Sequence, residues 1–498
     1  MATPVISSSS LLRFFMGFFS VFLCLILCSF DNGFALAARD TKPHPLPHTT
    51  HTVEVKSLLP PTTCSPSTKG HKNNKASSVL KVVHKHGPCS KFHKSSKTST
   101  TTCDEKYHTQ ILKQDQARVN SIHSRLNHNN NRDPLTQSAA TTLPAKSGDI
   151  ISSGNYIVTV SLGTPAKQLS LIFDTGSDLT WTQCRPCVRS CYTQSEPIFD
   201  PSLSTSYKTI SCTTAACTQL LSLGVEQSCF DSTCLYAAEY GDMSFSIGVF
   251  GSEKLTLTPT DVFEGFLFGC GLDNEGLFNG SAGLLGLGRS NISIVEQTAN
   301  KYNRFFSYCL PSTSCSPGYL RFGKGGRSSN AVKFTTLSTV SQGNPYYGLN
   351  VTGINVGGTK LPILASVFSR GTIIDSGTVI TRLPPAAYSA LRAAFLQAMM
   401  SYPLTESAFD ILDTCYNFSS FKTVSYPSIS FVFGDGLTQD LDATGIFYAV
   451  SVDMVCLAFA ENEDDSQSGI IGNVQQKRLE VVYDVAGGRV GFAPAGCP

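Results

Sequence analysis

The chain has 498 residues, 41% hydrophobic and 15% charged, with 40 glycines, 31 phenylalanines and one tryptophan. That composition excludes a mainly disordered, collagenous or multi-spanning membrane protein. The net charge of +2 conceals a division: residues 39–149 hold 17 Lys/Arg against 7 Asp/Glu, a balance of +10, and residues 150–498 hold 20 against 28, a balance of −8. All ten histidines, His44 to His128, fall in the basic segment. A Ser-His-Asp triad, a Cys-His dyad and any His-ligated metal site are therefore excluded from residues 150–498.

In chain order, Arg13 opens an apolar run from Phe14 to Cys28, and Ala35-Leu36-Ala37 supplies a small-residue cleavage pattern. Residues 1–38 read as a secretory signal peptide cut after Ala37 or Ala38. The alternatives are a signal anchor, for which the run is short of a ~20-residue span, and a chloroplast transit peptide, which would be amphipathic and Arg-rich. The expected destination is secreted and extracellular (the apoplast), with chloroplast or vacuole as alternatives. No later stretch of spanning length and no lipid-anchor signal occurs, so a soluble monomer without a membrane anchor is expected.

Residues 39–149 are rich in Lys, His, Ser, Thr and Pro and read as a prosegment. Val79–Val83 alternates like a short strand. Gln110–Leu126 has helix-forming composition, with Ile111, Leu112, Ala117, Val119, Ile122 and Leu126 roughly at helical spacing, until Asn127–Asn131 and Pro134 end it. The positive charge offers weak, non-specific DNA binding as an additional activity, although its lysines lack neighbouring aromatics on which bases could stack.

From Gly154 onward, short β-type runs separated by Gly, Pro, Asn and Ser turns predict an all-β region; Tyr156–Val160, Leu169–Phe173, Phe266–Phe268 and Leu479–Tyr483 are examples. One helix is predicted from Pro385 to Met400, with Tyr388, Leu391, Ala394, Phe395 and Ala398 on one face. Thirteen cysteines follow residue 150, many closely spaced between Cys184 and Cys234, and read as a disulfide framework. A metal site at Cys184, Cys187 and Cys191 is the competing reading, disfavoured by the missing histidines and the secretory signal. No metal and no cofactor are expected. Sequons at Asn279, Asn291, Asn350 and Asn417 are candidate glycosylation sites.

An internal repeat runs through this region. Leu171-Ile172-Phe173-Asp174-Thr175-Gly176-Ser177 is echoed by Thr372-Ile373-Ile374-Asp375-Ser376-Gly377-Thr378, 201 residues on. Each copy is followed about a hundred residues later by an apolar-apolar-Gly companion, Ala282–Gly288 after the first and Ser468–Asn473 after the second. One Asp-Thr/Ser-Gly is weak evidence, since Asp and Gly are common in turns. Two copies, each led by an apolar strand and each with its companion, imply two related β lobes with one carboxylate apiece. Amide hydrolysis without histidine or metal needs groups that move protons both ways. Two carboxylates about 3 Å apart cannot both ionise, so one stays acidic and the other basic.

These motifs, with Asp178-Leu179-Thr180-Trp181 after the first and Cys184-Arg185-Pro186-Cys187 opening the cysteine cluster, resemble the pepsin-type aspartic endopeptidases, most closely the plant nepenthesin-like group. The prosegment, with Val82-Val83-His84-Lys85-His86-Gly87-Pro88-Cys89, resembles plant members once described as chloroplast-nucleoid DNA-binding proteases. The resemblance implies an all-β, bilobal pepsin-like acid protease fold, with an N-terminal lobe (150–330) and a C-terminal lobe (331–498) flanking a cleft. It implies Asp174 and Asp375 as the catalytic pair, acting on protein or peptide substrates at acidic pH. Ser177 and Thr378 would hydrogen-bond the outer carboxylate oxygens, Thr175 and Ser376 would tie the loops together, and Gly176 and Gly377 would let backbone amides approach. Tyr240-Gly241-Asp242-Met243-Ser244 would form the tip of a flap, with Tyr240 supported by Trp181; the plant group usually has glycine where Met243 stands. The implied bridges are Cys184–Cys187, Cys191–Cys270, Cys212–Cys234, Cys217–Cys229, Cys309–Cys497 and Cys415–Cys456, leaving Cys315 over. The non-catalytic alternative on this fold is a glycosidase-inhibitor-type binding protein, which usually lacks one Asp motif or the flap tyrosine. The opposed charges predict that the protein's own prosegment lies over the cleft and sets a lysine or arginine against Asp174 and Asp375.

Overall fold

The computed structural model describes residues 49–59, 64, 78–85, 87–91, 101–130 (side chains over 108–126), 156–240, 244–276, 278, 280–311, 317–324, 332–339, 345–494 and 496–497. The expected signal peptide, Gly241, Met243, Asn279 and Cys315 lie outside the described residues. No described helix is long and apolar enough to cross a membrane.

The alternating runs form strands as their period dictates. Tyr156–Leu162 pairs antiparallel with Lys167–Asp174, and both feed a large apolar core that includes Val158, Leu169, Leu171, Phe173, Phe306, Tyr308 and Tyr483. The sequence repeat is a structural repeat. Lys167–Asp174 runs parallel to Gly283–Gly286, which brings Asp174 beside Gly286. Thr372–Ile374 runs parallel to Gly469–Ile471 in the same way. Each strand thus delivers its aspartate at its C-terminal end, with the small Gly-containing companion alongside.

An extended antiparallel sheet joins the two halves. Its consecutive neighbours are Tyr156–Leu162, Ser78–His84, Gly318–Phe322, Phe305–Cys309, Glu480–Asp484, Arg489–Ala493 and Lys333–Ser338. The second of these comes from the basic N-terminal segment and buries Ser78, Leu80 and Val82 on one face. The C-terminal lobe adds two four-stranded sheets and the expected helix, Pro385–Ala398, which starts at a proline and buries Ala387, Tyr388, Leu391 and Phe395. A second strand of the basic segment, Thr50–Glu54, pairs with Thr423–Pro427.

The long helix Thr101–Asn130 covers the predicted helical stretch and extends it at both ends. Its apolar stripe is divided between two clusters of the C-terminal lobe. Ile111 and Leu112 pack with Val379, Ile380, Phe409, Leu412 and Tyr448, and Val119, Ile122 and Leu126 pack with Tyr346, Ile373 and Ile470. Tertiary burial of this stripe, rather than propensity alone, holds the helix.

Seven disulfides form among the described cysteines, and they correct the expected framework. Cys309–Cys497 and Cys415–Cys456 are as expected. The other four are Cys184–Cys270, Cys187–Cys191, Cys212–Cys229 and Cys217–Cys234, in place of Cys184–Cys187, Cys191–Cys270, Cys212–Cys234 and Cys217–Cys229. Burial explains each exchange. Cys184 and Cys270 both point into the core, whereas Cys187 and Cys191 sit on the loop outside it. Cys217 lies on the inner face of the helix Ala215–Ser222 and meets the buried Cys234, while half-buried Cys212 meets exposed Cys229. The seventh bridge, Cys64–Cys89, closes within the basic segment.

Candidate active site

Asp174 and Asp375 end their strands with 1% and 0% of their surface exposed. Each carboxylate accepts a hydrogen bond from the amide two residues on: Gly176 N donates to Asp174 Oδ1 at 3.0 Å and Gly377 N to Asp375 Oδ1 at 3.1 Å. A side chain could not be accommodated at either glycine. A Cβ on Gly377 would fall 2.5 Å from Asp174 Oδ1, and one on Gly176 would fall 2.7 Å from Asp375 Oδ1. The two loops are clasped reciprocally beneath. Ser376 N donates to Thr175 Oγ1 at 2.9 Å, and Thr175 N donates to Ser376 Oγ at 3.1 Å.

The outer positions are not equivalent. Thr378 Oγ1 donates to Asp375 Oδ2 at 2.6 Å, as expected. Ser177 Oγ and Asp174 Oδ2 are both left without a hydrogen bond, so the expected bond between them is not made. Asp174 is instead engaged through Oδ1, by the Gly176 amide and by Arg118 of the long helix.

That engagement is the central feature of the site. Arg118, on the buried side of the long helix, lies over both carboxylates. Its Nη2 donates to Asp174 Oδ1 at 2.7 Å, and its Nε and Nη2 form a fork on Asp375 Oδ2 and Oδ1 at 3.0 and 3.1 Å. Burial opposes ionisation of Asp174, but Arg118 and the Gly176 amide outweigh it and hold this carboxyl below its ordinary value. Asp375 is displaced upward, first by burial and then by the Asp174 charge, with Arg118 pulling against both. The pair is polarised into one stronger and one weaker acid. Burial penalises the Arg118 charge, yet the two carboxylates more than compensate and raise its pKa.

The hairpin expected to form the flap joins Thr233–Glu239 to Phe245–Thr258. Trp181 Nε1 donates to Tyr240 OH at 2.7 Å, and Phe278 packs edge-on against both rings. Arg125 of the helix donates to Glu239 O at 2.7 Å, so the helix also touches this hairpin next to its tip. One turn before Arg118, Asp115 is fully buried. It accepts from the amides of Val379 and Ile380 at 2.6 and 3.1 Å and pairs with Arg382 at 3.1 Å. Sequence reasoning singled out neither Asp115, Arg118 nor Arg382. The available signal was their position, since Asp115 and Arg118 interrupt the apolar stripe at Ile111 + 4 and Ile111 + 7. Of the sequons, Asn291 and Asn350 are exposed and Asn417 is half-buried. No cluster of His, Cys, Asp or Glu among the described residues could hold a metal.

Two like lobes that each deliver one buried aspartate to a shared point define a pepsin-type aspartic endopeptidase. Known proteins place the chain more closely. Family models described as Xylanase inhibitor N-terminal and Xylanase inhibitor C-terminal match residues 156–324 and 346–494. An aspartyl protease family protein of Arabidopsis thaliana is 55% identical over 449 residues, covering 90% of this chain and 93% of its own. Aspartyl protease AED1 of the same plant is 49% identical, covering 90% and 92%. Aspartic proteinase nepenthesin-2 of Nepenthes gracilis is 36% identical, covering 73% and 82%. Among solved structures, basic 7S globulin from soybean shares the fold, with a TM-score of 0.53 at 22% identity over 68% of this chain and 91% of its own. The chain belongs to the plant pepsin-like aspartic protease family that includes the nepenthesins, and it is an aspartic-type peptide hydrolase.

Proposed function

We propose that the protein is made as a secreted zymogen of an acid-active endopeptidase, in which Asp174 and Asp375 activate the hydrolytic water and the segment 39–149 keeps them idle. One observation carries this reading: a single prosegment nitrogen, Arg118 Nη2, lies 2.7 Å from Asp174 Oδ1 and 2.9 Å from Asp375 Oδ2. Two carboxylates that converge on one point can equally bracket a water once the guanidinium has gone. The ionised partner takes a proton from the water as it attacks the scissile carbonyl. The protonated partner polarises that carbonyl and then protonates the leaving amine. Because the pair titrates jointly, acid and base are roles of the pair rather than fixed labels. Thr378 and the Gly176 and Gly377 amides hold the carboxylates in place, the Thr175–Ser376 clasp fixes the two loops, and Tyr240 closes over a bound peptide.

The disulfides support secretion, since such a framework persists in oxidising compartments. The second reading is a non-catalytic binding protein, prompted by the inhibitor descriptions of the matching family models. Two carboxylates and a supported flap tyrosine, all in place, favour the enzyme. The test is digestion of casein or a quenched peptide at acidic pH. Asp174→Asn and Asp375→Asn should each lower the rate by at least about 10²–10⁴-fold, the usual worth of acid–base groups. Full activity in either variant would sink the catalytic assignment, and absence of activity in the processed wild type would favour the binding reading.

A further inference from the structure

Asp115 occupies a built carboxylate site in the C-terminal lobe. Its oxygens accept from Val379 N and Ile380 N at 2.6 and 3.1 Å, and its Oδ2 lies 3.1 Å from Arg382 Nη2. Both side chains of the ion pair are 0% exposed. Two backbone amides and a guanidinium aimed at one carboxylate form a strong, directional anion site. The acceptor belongs to the prosegment, whereas all three donors belong to the enzyme. Arg382 also donates to Gln116 Oε1 at 3.1 Å, and Gln116 lies on the same helix. When the helix leaves, the guanidinium loses both partners. Among the hydrogen bonds of its described surroundings, only that to Ile380 O at 2.8 Å remains, and Arg382 Nε has no partner even with the helix docked. A cation buried this deeply is costly without an anion.

We propose that Arg382 with the Val379 and Ile380 amides forms an acid-specific substrate subsite, and that Asp115 occupies it as a pseudosubstrate side chain. This rests on the reading that the helix vacates the cleft on activation. Distance sets the register. Asp115 and Arg118 are three residues apart, roughly 4.5 Å along a helix axis, and an extended peptide advances about 3.3 Å per residue. The preferred Asp or Glu therefore lies within about two or three residues of the cleaved bond, on one side of it only. The neighbouring apolar wall, Val379, Ile380, Phe409 and Leu412, now covered by Ile111 and Leu112, would take a hydrophobic residue beyond the acid.

The test starts from acid-processed full-length protein and a family of quenched peptides. A single Asp is moved through four positions on either side of the cleaved bond, each peptide being matched with its Asn counterpart. At pH 5 a peptide aspartate is ionised, and at one position near the bond the Asp/Asn ratio in kcat/KM should be about tenfold or more, as expected for a hydrogen-bonded charge pair. In Arg382→Gln the ratio at that position should fall to within about twofold of one, and Arg382→Lys should retain part of it. Should the Gln variant fail to fold, the wild-type scan decides alone. A ratio near one at every position overturns the subsite, as does a preference that persists undiminished in Arg382→Gln. Cleavage of the Asn peptides with the Asp scan flat leaves the protease reading standing and sinks only the subsite. A protein that cleaves peptides with residues 101–130 still docked sinks the subsite and the reading that the helix must vacate the cleft, because Asp115 would then keep Arg382.

Discussion

At the scale of single residues, one guanidinium gives the proposed inhibition a contact that bulk charge only suggests. Arg118 is 16% exposed and bonds both aspartates, whereas Arg125, seven residues on, donates to the Glu239 carbonyl. Breaking a buried ion pair costs about 3–5 kcal/mol. The lower end applies here, because two adjacent carboxylates relieve their repulsion by sharing a proton. Arg118→Gln should therefore weaken latency by about 3 kcal/mol, on the order of 100-fold. The readout is hydrolysis of a quenched peptide by intact proenzyme at pH 5.5, before any shortening. Arg125→Gln should change the same rate only a few-fold. Equal latency in the wild type and Arg118→Gln would mean that the helix, not its arginine, blocks the cleft. Gly377 offers a complementary check. An added Cβ would stand 2.3 Å from Arg118 Nη2 and 2.5 Å from Asp174 Oδ1, so Gly377→Ala should disturb both docking and hydrolysis, whereas loss of Arg118 spares hydrolysis.

At the scale of elements, what could be read from sequence was whatever depends on local periodicity and repetition. The strand Ser78–His84, the helix around Gln110–Leu126, the helix from Pro385 and the duplicated aspartate motifs all follow from spacing. Pairing of the cysteines did not, because it depends on which side chains a strand or helix turns inward. Cys229 and Cys234 stand opposite each other across a strand pair, yet each bonds a different partner outside it, according to depth. The buried Asp115–Arg382 pair escaped for a similar reason: charges on an apolar stripe look like exceptions until their partners are known. The bridges make a direct prediction. Peptide mapping of unreduced protein at acidic pH should recover Cys184–Cys270, Cys187–Cys191, Cys212–Cys229 and Cys217–Cys234, and recovery of Cys191–Cys270 would overturn the pairing. Cys309–Cys497 spans 188 residues, and opening it should cost about 5 kcal/mol in the chain-entropy model, measured as a lower denaturation midpoint of the Cys309→Ser/Cys497→Ser protein. Since Cys64–Cys89 closes within the prosegment, it does not tether that segment to the lobes.

At the scale of the whole molecule, the proposed release of the segment 39–149 is linked to pH through histidines rather than through net charge. Docked His84 is pushed down to about 3 by burial, assisted by the charges of Lys477, His108 and Lys85. Docked His123 is also lowered, by burial and by Arg382, against the opposing pull of the Ser468 carbonyl, Glu463 and Asp464. In a released segment both return to about 6.5. The released state therefore binds protons that the docked state refuses, and docking weakens steadily as pH falls from about 6.5 towards 3. Lys85, pushed down to about 7 from 10.5, alters docking only between those two values and takes no part in the acid window. Asp174 acts lower still. Its docked pKa is depressed, so its contribution is present above the ordinary carboxylate range and is lost only as pH falls through the docked value. Conversion of the proenzyme, followed by mass after incubation at half-unit steps from pH 7 to pH 3, should begin below about 6.5 and be complete near 4. His84→Gln with His123→Gln removes the refused protons, so the segment should stay docked further into acid, with the midpoint lowered by about half a unit to one unit. Because Arg118 and Asp115 make their contacts with buried partners, screening reaches them weakly, and raising salt from 0.1 to 1 M should move that midpoint less than the histidine substitutions do. A midpoint unchanged in the double variant but displaced strongly by salt would return control of release to the opposed surface charges of segment and lobes.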